Sequence, residues 1–268
     1  MPGPHLQVRG AGTDMVLPLE GAALLAAVAA VVIVGISKGG FGGNLGLLGV
    51  PLMALVMSPV KAAAIMLPIL CFMDLMALRA WWGRWDLLHV RRMLPAAMLG
   101  ILIGALGFRH FNADHVKLII GVLAIGFALN HWFKPARHWQ RGRPGRVAGM
   151  FWGGVTGFTS FVSHSGGPPA NIYLLPQGLD KAVFQSTMVL VFIGVNYVKL
   201  VPYTLLGQFN TENLWTSLFL LPVAAAGVLL GVWLHRRVPE KLFFQLAYVL
   251  LFLTGIKLIR DGAGVLFG

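Results

Sequence analysis

Residues 94–110 read LPAAMLGILIGALGFRH, and the chain returns to the pattern at 221–237 with LPVAAAGVLLGVWLHRR. Leu94/Leu221, Pro95/Pro222, Ala97/Ala224, Gly100/Gly227, Leu102/Leu229, Gly104/Gly231 and Arg109/Arg236 coincide at one spacing of 127 residues. Alanine and leucine recur by composition in an apolar chain; an ordered series of proline, two glycines and arginine is the mark of a duplication. Upstream, SPVKAA around Lys61 matches GLDKAV around Lys181 at a spacing of 120, which lays SKGGFGGNLGLLGVP over FTSFVSHSGGPPAN. The sequence therefore reads as two copies, 16–133 and 147–268, joined by a basic linker at 134–146 and preceded by a polar tail at 1–15.

Composition says where such a chain lives. Of 268 residues, 57% are hydrophobic and 11% charged, with mean hydropathy +0.77. Soluble domains carry about 25% charged residues, so a soluble fold and disorder are both excluded. The 34 glycines suit closely packed membrane helices and broken segments. A single cysteine, Cys71, excludes a disulfide framework and a thiolate metal cage. The net charge of +12 sits in short loops between apolar runs, where it orients the chain in a bilayer rather than binding nucleic acid.

A crossing helix needs about 20 apolar residues. Six runs meet that length, near Ala62–Trp82, Val90–Phe108, His115–Phe133, Ala182–Leu206, Leu214–His235 and Leu242–Ile259. Two other regions are interrupted. Val16–Ile36 is followed by SKGGFGGN and the shorter run Asn44–Met57; Val147–Phe161 is followed by VSHSGGPP and Ala170–Leu175. Each is expected to form a broken or re-entrant hairpin, although Val16–Ile36 alone is long enough to span. The fold class is thus an all-α membrane protein of two repeats, each a broken hairpin plus three transmembrane helices.

Arginine and lysine set the sidedness. Basic loops at 79–92, 134–146 and 236–241 contrast with the stretch between Leu206 and Leu214, which has neither residue. Placing the basic loops in the cytoplasm puts both termini outside and inverts the second copy relative to the first. A cleavable signal is the competing reading of the N-terminus, disfavoured because residues 1–15 carry little positive charge and the apolar run is too long. Inverted repeats with paired broken helices are the plan of secondary transporters, with substrate held where the breaks meet.

The breaks carry the candidate site. Irregular backbone at membrane depth is tolerated where protein buries it or water reaches it. Gly39, Gly40, Gly42 and Gly43 free the first break, and Asn44 is the expected N-cap of the run that follows. In the second, Ser163, His164, Ser165, Gly166 and Gly167 precede Pro168 and Pro169, residues suited to a first helical turn. Both look like loop-to-helix junctions, where free N–H groups favour an anion. The Ser163 and Ser165 hydroxyls and the Asn44 amide are candidate donors; His164 adds charge if protonated and carries a coupled proton if neutral. The alternative is that the glycines serve helix packing alone, and His164 a structural hydrogen bond.

Asp74 lies mid-span, where a charge needs a partner or a purpose, and is the second candidate for proton coupling. Lys38, at the first break, either pairs with Asp74 or attracts the anion. Lys199 is expected to snorkel outward from late in its span. His131 and most tryptophans are expected at the interfaces. A nucleotide-binding GxxxxGK[ST], CxxC and HExxH are all absent from the sequence, so neither an ATP-driven pump, a metal site nor an enzyme is expected. A haem subunit using His131 and His164 would need facing histidines in adjacent spans.

At GISKGGFGGNLGLLGVP, GVTGFTSFVSHSGGPP and the two LPxxxxGxxxG blocks the chain resembles the TauE/SafE family of sulfite-exporter-like permeases, from about Leu19 to Arg260. Phe41 splits a glycine run that is often continuous in that family. The resemblance implies a bacterial inner-membrane permease for small anions such as sulfite, sulfoacetate or related organosulfonates, with export favoured by family association. The expectation is a secondary transporter working by alternating access, without cofactor, in contact with membrane lipids; a homodimer is left open. The rival is an anion channel that uses the same two breaks as its filter.

Overall fold

The computed structural model describes residues 19, 21–40, 44–108, 112–133, 143–234, 237 and 240–267. The expected tail at 1–15 and most of the 134–146 linker lie outside them. Regular structure among the described residues is helical throughout. In chain order the elements are α1 (Gly21–Gly40), a 3-10 turn (Asn44–Leu48), α2 (Gly49–Met53), α3 (Pro59–Ala80), α4 (Leu87–Phe108) and α5 (Ala113–Phe133). They continue with α6 (Arg146–Ser163), α7 (Gly167–Leu174), a 3-10 turn (Leu175–Gln177), α8 (Lys181–Leu205), α9 (Thr211–Leu234) and α10 (Glu240–Phe267).

Local chemistry explains where the long helices begin. Ser58 accepts a hydrogen bond from the Lys61 amide (3.2 Å) with Pro59 opening α3. Asp86 accepts from Leu88 (2.8 Å) ahead of α4, Asn112 from His115 (2.9 Å) ahead of α5, and Asn210 from Asn213 (2.8 Å) ahead of α9. Each satisfies an amide that would otherwise lack a partner in the first turn. These polar caps start the helices two or three residues before the apolar runs.

The first break differs from expectation. The apolar run stops at Ile36, yet α1 continues through Ser37, Lys38, Gly39 and Gly40. Tertiary contact overrides the weak helix propensity of glycine: α1 lies against α9, and a Cβ on Gly39 would collide with the Val228 carbonyl. Gly231 of α9 lies as tightly over the Ile36 carbonyl. The other break-forming helix, α6, packs on α4 in the same fashion, with Gly157 over the Ala97 carbonyl and Gly100 over that of Gly154. Both interfaces use small residues four apart to bring backbones together, as membrane helices do.

Helices α3 and α8 occupy the centre. They touch each other; α3 also touches α9, and α8 touches α4, while α5 pairs with α10. They run antiparallel, since Ser186 near the start of α8 donates to the Trp81 carbonyl at the end of α3 (2.6 Å). Leu99, Leu102, Ile103 and Leu106 of α4, and Leu218, Leu229 and Trp233 of α9, remain half-exposed or more, as suits surfaces that face lipid. By length and composition α1, α3, α4, α5, α8 and α9 can each cross a membrane, and α10 reaches 28 residues. This is a multi-pass membrane protein.

Candidate functional site

The two breaks meet inside the protein. A Cβ on Gly46, in the first 3-10 turn, would stand 3.5 Å from the carbonyl oxygen of His164. Phe192 of α8 links them again: the Lys38 ammonium lies 5.7 Å from its ring centroid, and the ring edge lies 3.1 Å from where a Gly166 Cβ would be.

The second break turns at His164, the one non-glycine residue with positive φ (55°) among the described residues. This left-handed position ends α6 and lets Gly166 lead into α7, whose first turn carries the prolines. Ser163 and Ser165 are buried and share a 2.8 Å hydrogen bond, with further bonds to the Thr159 and Ser163 carbonyls. Their hydroxyls are thus engaged locally. Gly167 heads α7, where amides lack intrahelical partners. Gly166 is confined, since a Cβ would meet the Thr156 carbonyl at 2.9 Å.

In the first break, Lys38, Gly39 and Gly40 belong to the last turn of α1, an end that presents carbonyls rather than amides. Gly42 and Gly43 lie outside the described residues. Asn44 opens a 3-10 turn instead of capping an α-helix; the short α2 that follows begins after Leu48.

Side chains, more than backbone, join the breaks. Lys38 is paired with Asp74 of α3, and the Asn196 amide donates to the other carboxylate oxygen of Asp74 (2.5 Å). The Gln185 amide donates to the Lys38 carbonyl (3.3 Å). One helical turn beyond Asn196 on α8, Lys199 is fully buried rather than snorkelling outward. Its ammonium donates to the Ser160 carbonyl (3.0 Å), contacts the Ser160 hydroxyl (3.0 Å) and lies 2.6 Å from His164 Nδ1. His164 Nε2 is 3.0 Å from the Ala63 carbonyl, which can only accept. Nε2 therefore carries the proton, and Nδ1 accepts from Lys199.

This polar chain runs through the α3–α8 interface with a small cleft at each end. One is lined by Lys38, Asp74, Ala77, Gln185 and Phe192; the other by Ala63, Phe108, Phe161, Tyr203 and Leu206. Each has room for about one water molecule. Ala63 and Ala77 are 14 residues apart on α3, or about 21 Å along the helix axis. The clefts thus approach the polar chain from opposite ends of the bundle, and packed protein separates them.

Sequence reasoning missed Ser160, Gln185, Asn196 and Lys199. The available signal was polarity inside an apolar span, and Asn196 with Lys199 shows the three-residue spacing of one helix face. His131, the other histidine weighed, stacks on Tyr248 (3.9 Å between centroids). No cluster of three or more histidine, cysteine or acidic side chains suited to a metal occurs among the described residues.

Spanning helices, two breaks brought together and a buried ionic chain between opposed clefts are the features of a membrane transporter. Residues 27–258 match the family model Sulfite exporter TauE/SafE, and the chain belongs to that family. No curated protein and no solved structure matches it.

Proposed function

We propose that the protein is a secondary transporter of small anions, of the sulfite or organosulfonate type, working by alternating access across a bacterial inner membrane. The observation that carries this reading is the meeting of the two breaks beside a buried polar chain, with a small cleft on either side. In this reading the two copies are inverted repeats. Their reciprocal pairing supports it: the break helix of each copy packs on the other copy's counterpart of α4 or on α4 itself, while α3–α8 and α5–α10 pair equivalents with each other. Rocking about the α3–α8 contact would open one cleft as it shuts the other. Gly166 and Gly167 amides at the start of α7, with Ser163, Ser165 and His164 around them, are the proposed substrate contacts of the second break. Lys38, Gly39, Gly40, Gly42, Gly43 and Asn44 are the proposed contacts of the first, and Asp74 and His164 are the proposed proton-coupling groups. Export and extracytoplasmic termini complete the proposal, in which the protein performs no chemistry on its substrate.

Purified protein in proteoliposomes tests this directly. Sulfite, thiosulfate, sulfoacetate, taurine and simple carboxylates are assayed for saturable uptake and counterflow. Saturation with counterflow of sulfur anions is the expected result. An ohmic anion current without counterflow would replace the carrier with a channel, and transport of cations or zwitterions alone would end the anion reading.

A further inference from the structure

We infer that Lys199 is the counter-charge for the transported anion, and that the site accepts one negative charge rather than two. The inference rests on the transport reading above and deepens it.

Charge arithmetic along the polar chain is uneven. Lys38 and Asp74 cancel each other. Lys199 is as deeply buried, yet its three hydrogen-bond partners are a carbonyl, a hydroxyl and an imidazole nitrogen that accepts. The other imidazole nitrogen donates to the Ala63 carbonyl, and the ring supplies no negative charge in either of its forms. Among the described residues no carboxylate lies within 4.0 Å of the Lys199 ammonium. In its ammonium form Lys199 therefore stands deep in a membrane protein with its hydrogen bonds satisfied and its charge unmatched. A charge at that depth normally has a partner or marks a substrate path.

A cleft also comes close to it, with His164 and Lys199 just behind its lining. Ala63 and Tyr203 line the second cleft, and both adjoin His164: Ala63 accepts its hydrogen bond, and the Tyr203 ring stacks at 6.1 Å. An anion arriving there meets His164 and then Lys199, whose flexible stem exchanges the Ser160 hydroxyl for the guest. A single ammonium balances a single negative charge. A second would be buried without a partner, which is strongly unfavourable. The class of ligand is thus a small monoanion, which among the anions proposed above selects those with a single negative charge.

Three probes of similar shape separate charge from fit: methanesulfonate (one negative charge), sulfate (two) and dimethyl sulfone (none). Binding to the purified full-length protein is read by calorimetry. Methanesulfonate is expected to bind at least about tenfold more tightly than either of the others. Lys199→Gln should lower its affinity by at least about tenfold, whereas Lys199→Arg should retain the preference for one charge. Sulfate binding as well as methanesulfonate, or Lys199→Gln keeping wild-type affinity and charge order, would overturn the inference and leave anion transport standing. Failure of the wild-type protein to bind any anion of the wider transport panel would overturn both. If Lys199→Gln does not fold, the three-probe order on the wild type and on Lys199→Arg decides the matter.

Discussion

The two breaks are built alike and charged differently. Each ends a helix that lies against the opposite copy through small residues, and each sends an ionisable side chain to the central helix of its own copy, Lys38 to Asp74 and His164 to Lys199. In the first break the cation meets a carboxylate, and the ion pair is complete within the protein. In the second the Lys199 ammonium meets a carbonyl, a hydroxyl and an imidazole, and no carboxylate joins them among the described residues. The two breaks thus differ in one respect: the first closes its ion pair within the protein, and the second, in the inference above, leaves its cation to the substrate.

Breaking the strut should have the largest effect. Asp74→Ala leaves Lys38 buried without its partner and is expected to destabilise the protein by about 3–5 kcal/mol, seen as a large fall in the detergent melting temperature. The double variant Lys38→Met with Asp74→Leu should recover most of that loss, because no orphan charge remains.

Next come the contacts that carry both breaks. Gly157→Ala drives a methyl group into the Ala97 carbonyl and should cost about 1–3 kcal/mol. Gly126 has open space at its Cβ, so Gly126→Ala is expected to be neutral or to stabilise by up to about 1 kcal/mol. Thermal unfolding of the two variants side by side checks both.

Lys199→Met sharpens the comparison most. Removing the ammonium strands no carboxylate but leaves the buried His164 Nδ1 without its donor, so the cost should stay within about 1–3 kcal/mol, below that of Asp74→Ala. A fall comparable to that of Asp74→Ala would show that Lys199 has an anionic partner within the protein. The smallest effect is expected outside the core. Lys61 and Glu212 approach to 2.5 Å with the carboxylate side chain 59% exposed, and Lys61→Ala should cost no more than about 1 kcal/mol.

Much of this was legible before any coordinates. Apolar runs placed most long helices to within a few residues, with α10 running eight residues past Ile259, and the 94–110 and 221–237 blocks fall on α4 and α9. Glycine, serine and proline clusters located both breaks. Lys38 and Asp74 stood out because charges are rare in spans, and one of the alternatives weighed for them, mutual pairing, is what the structure contains. The expectation for Lys199 failed because it relied on distance from the span end. Its burial depends on Ser160 and His164, 39 and 35 residues away, which face it only after α6 has docked on α4 and turned back at a left-handed His164. The run SKGG looked like loop and is helix, since local propensity carries no record of α9.

The sequence alone determined that this chain crosses a membrane many times, that two of its blocks recur at a spacing of 127 residues, and that its helices are interrupted at two points. Hydrophobicity, periodicity and backbone-breaking residues are properties of short segments, and they act before any helix meets another. Only the tertiary structure decided which charge finds a partner and which does not, because pairing depends on side chains from separate helices arriving at the same depth. That choice separates Lys38 from Lys199, and the functional proposals rest on it.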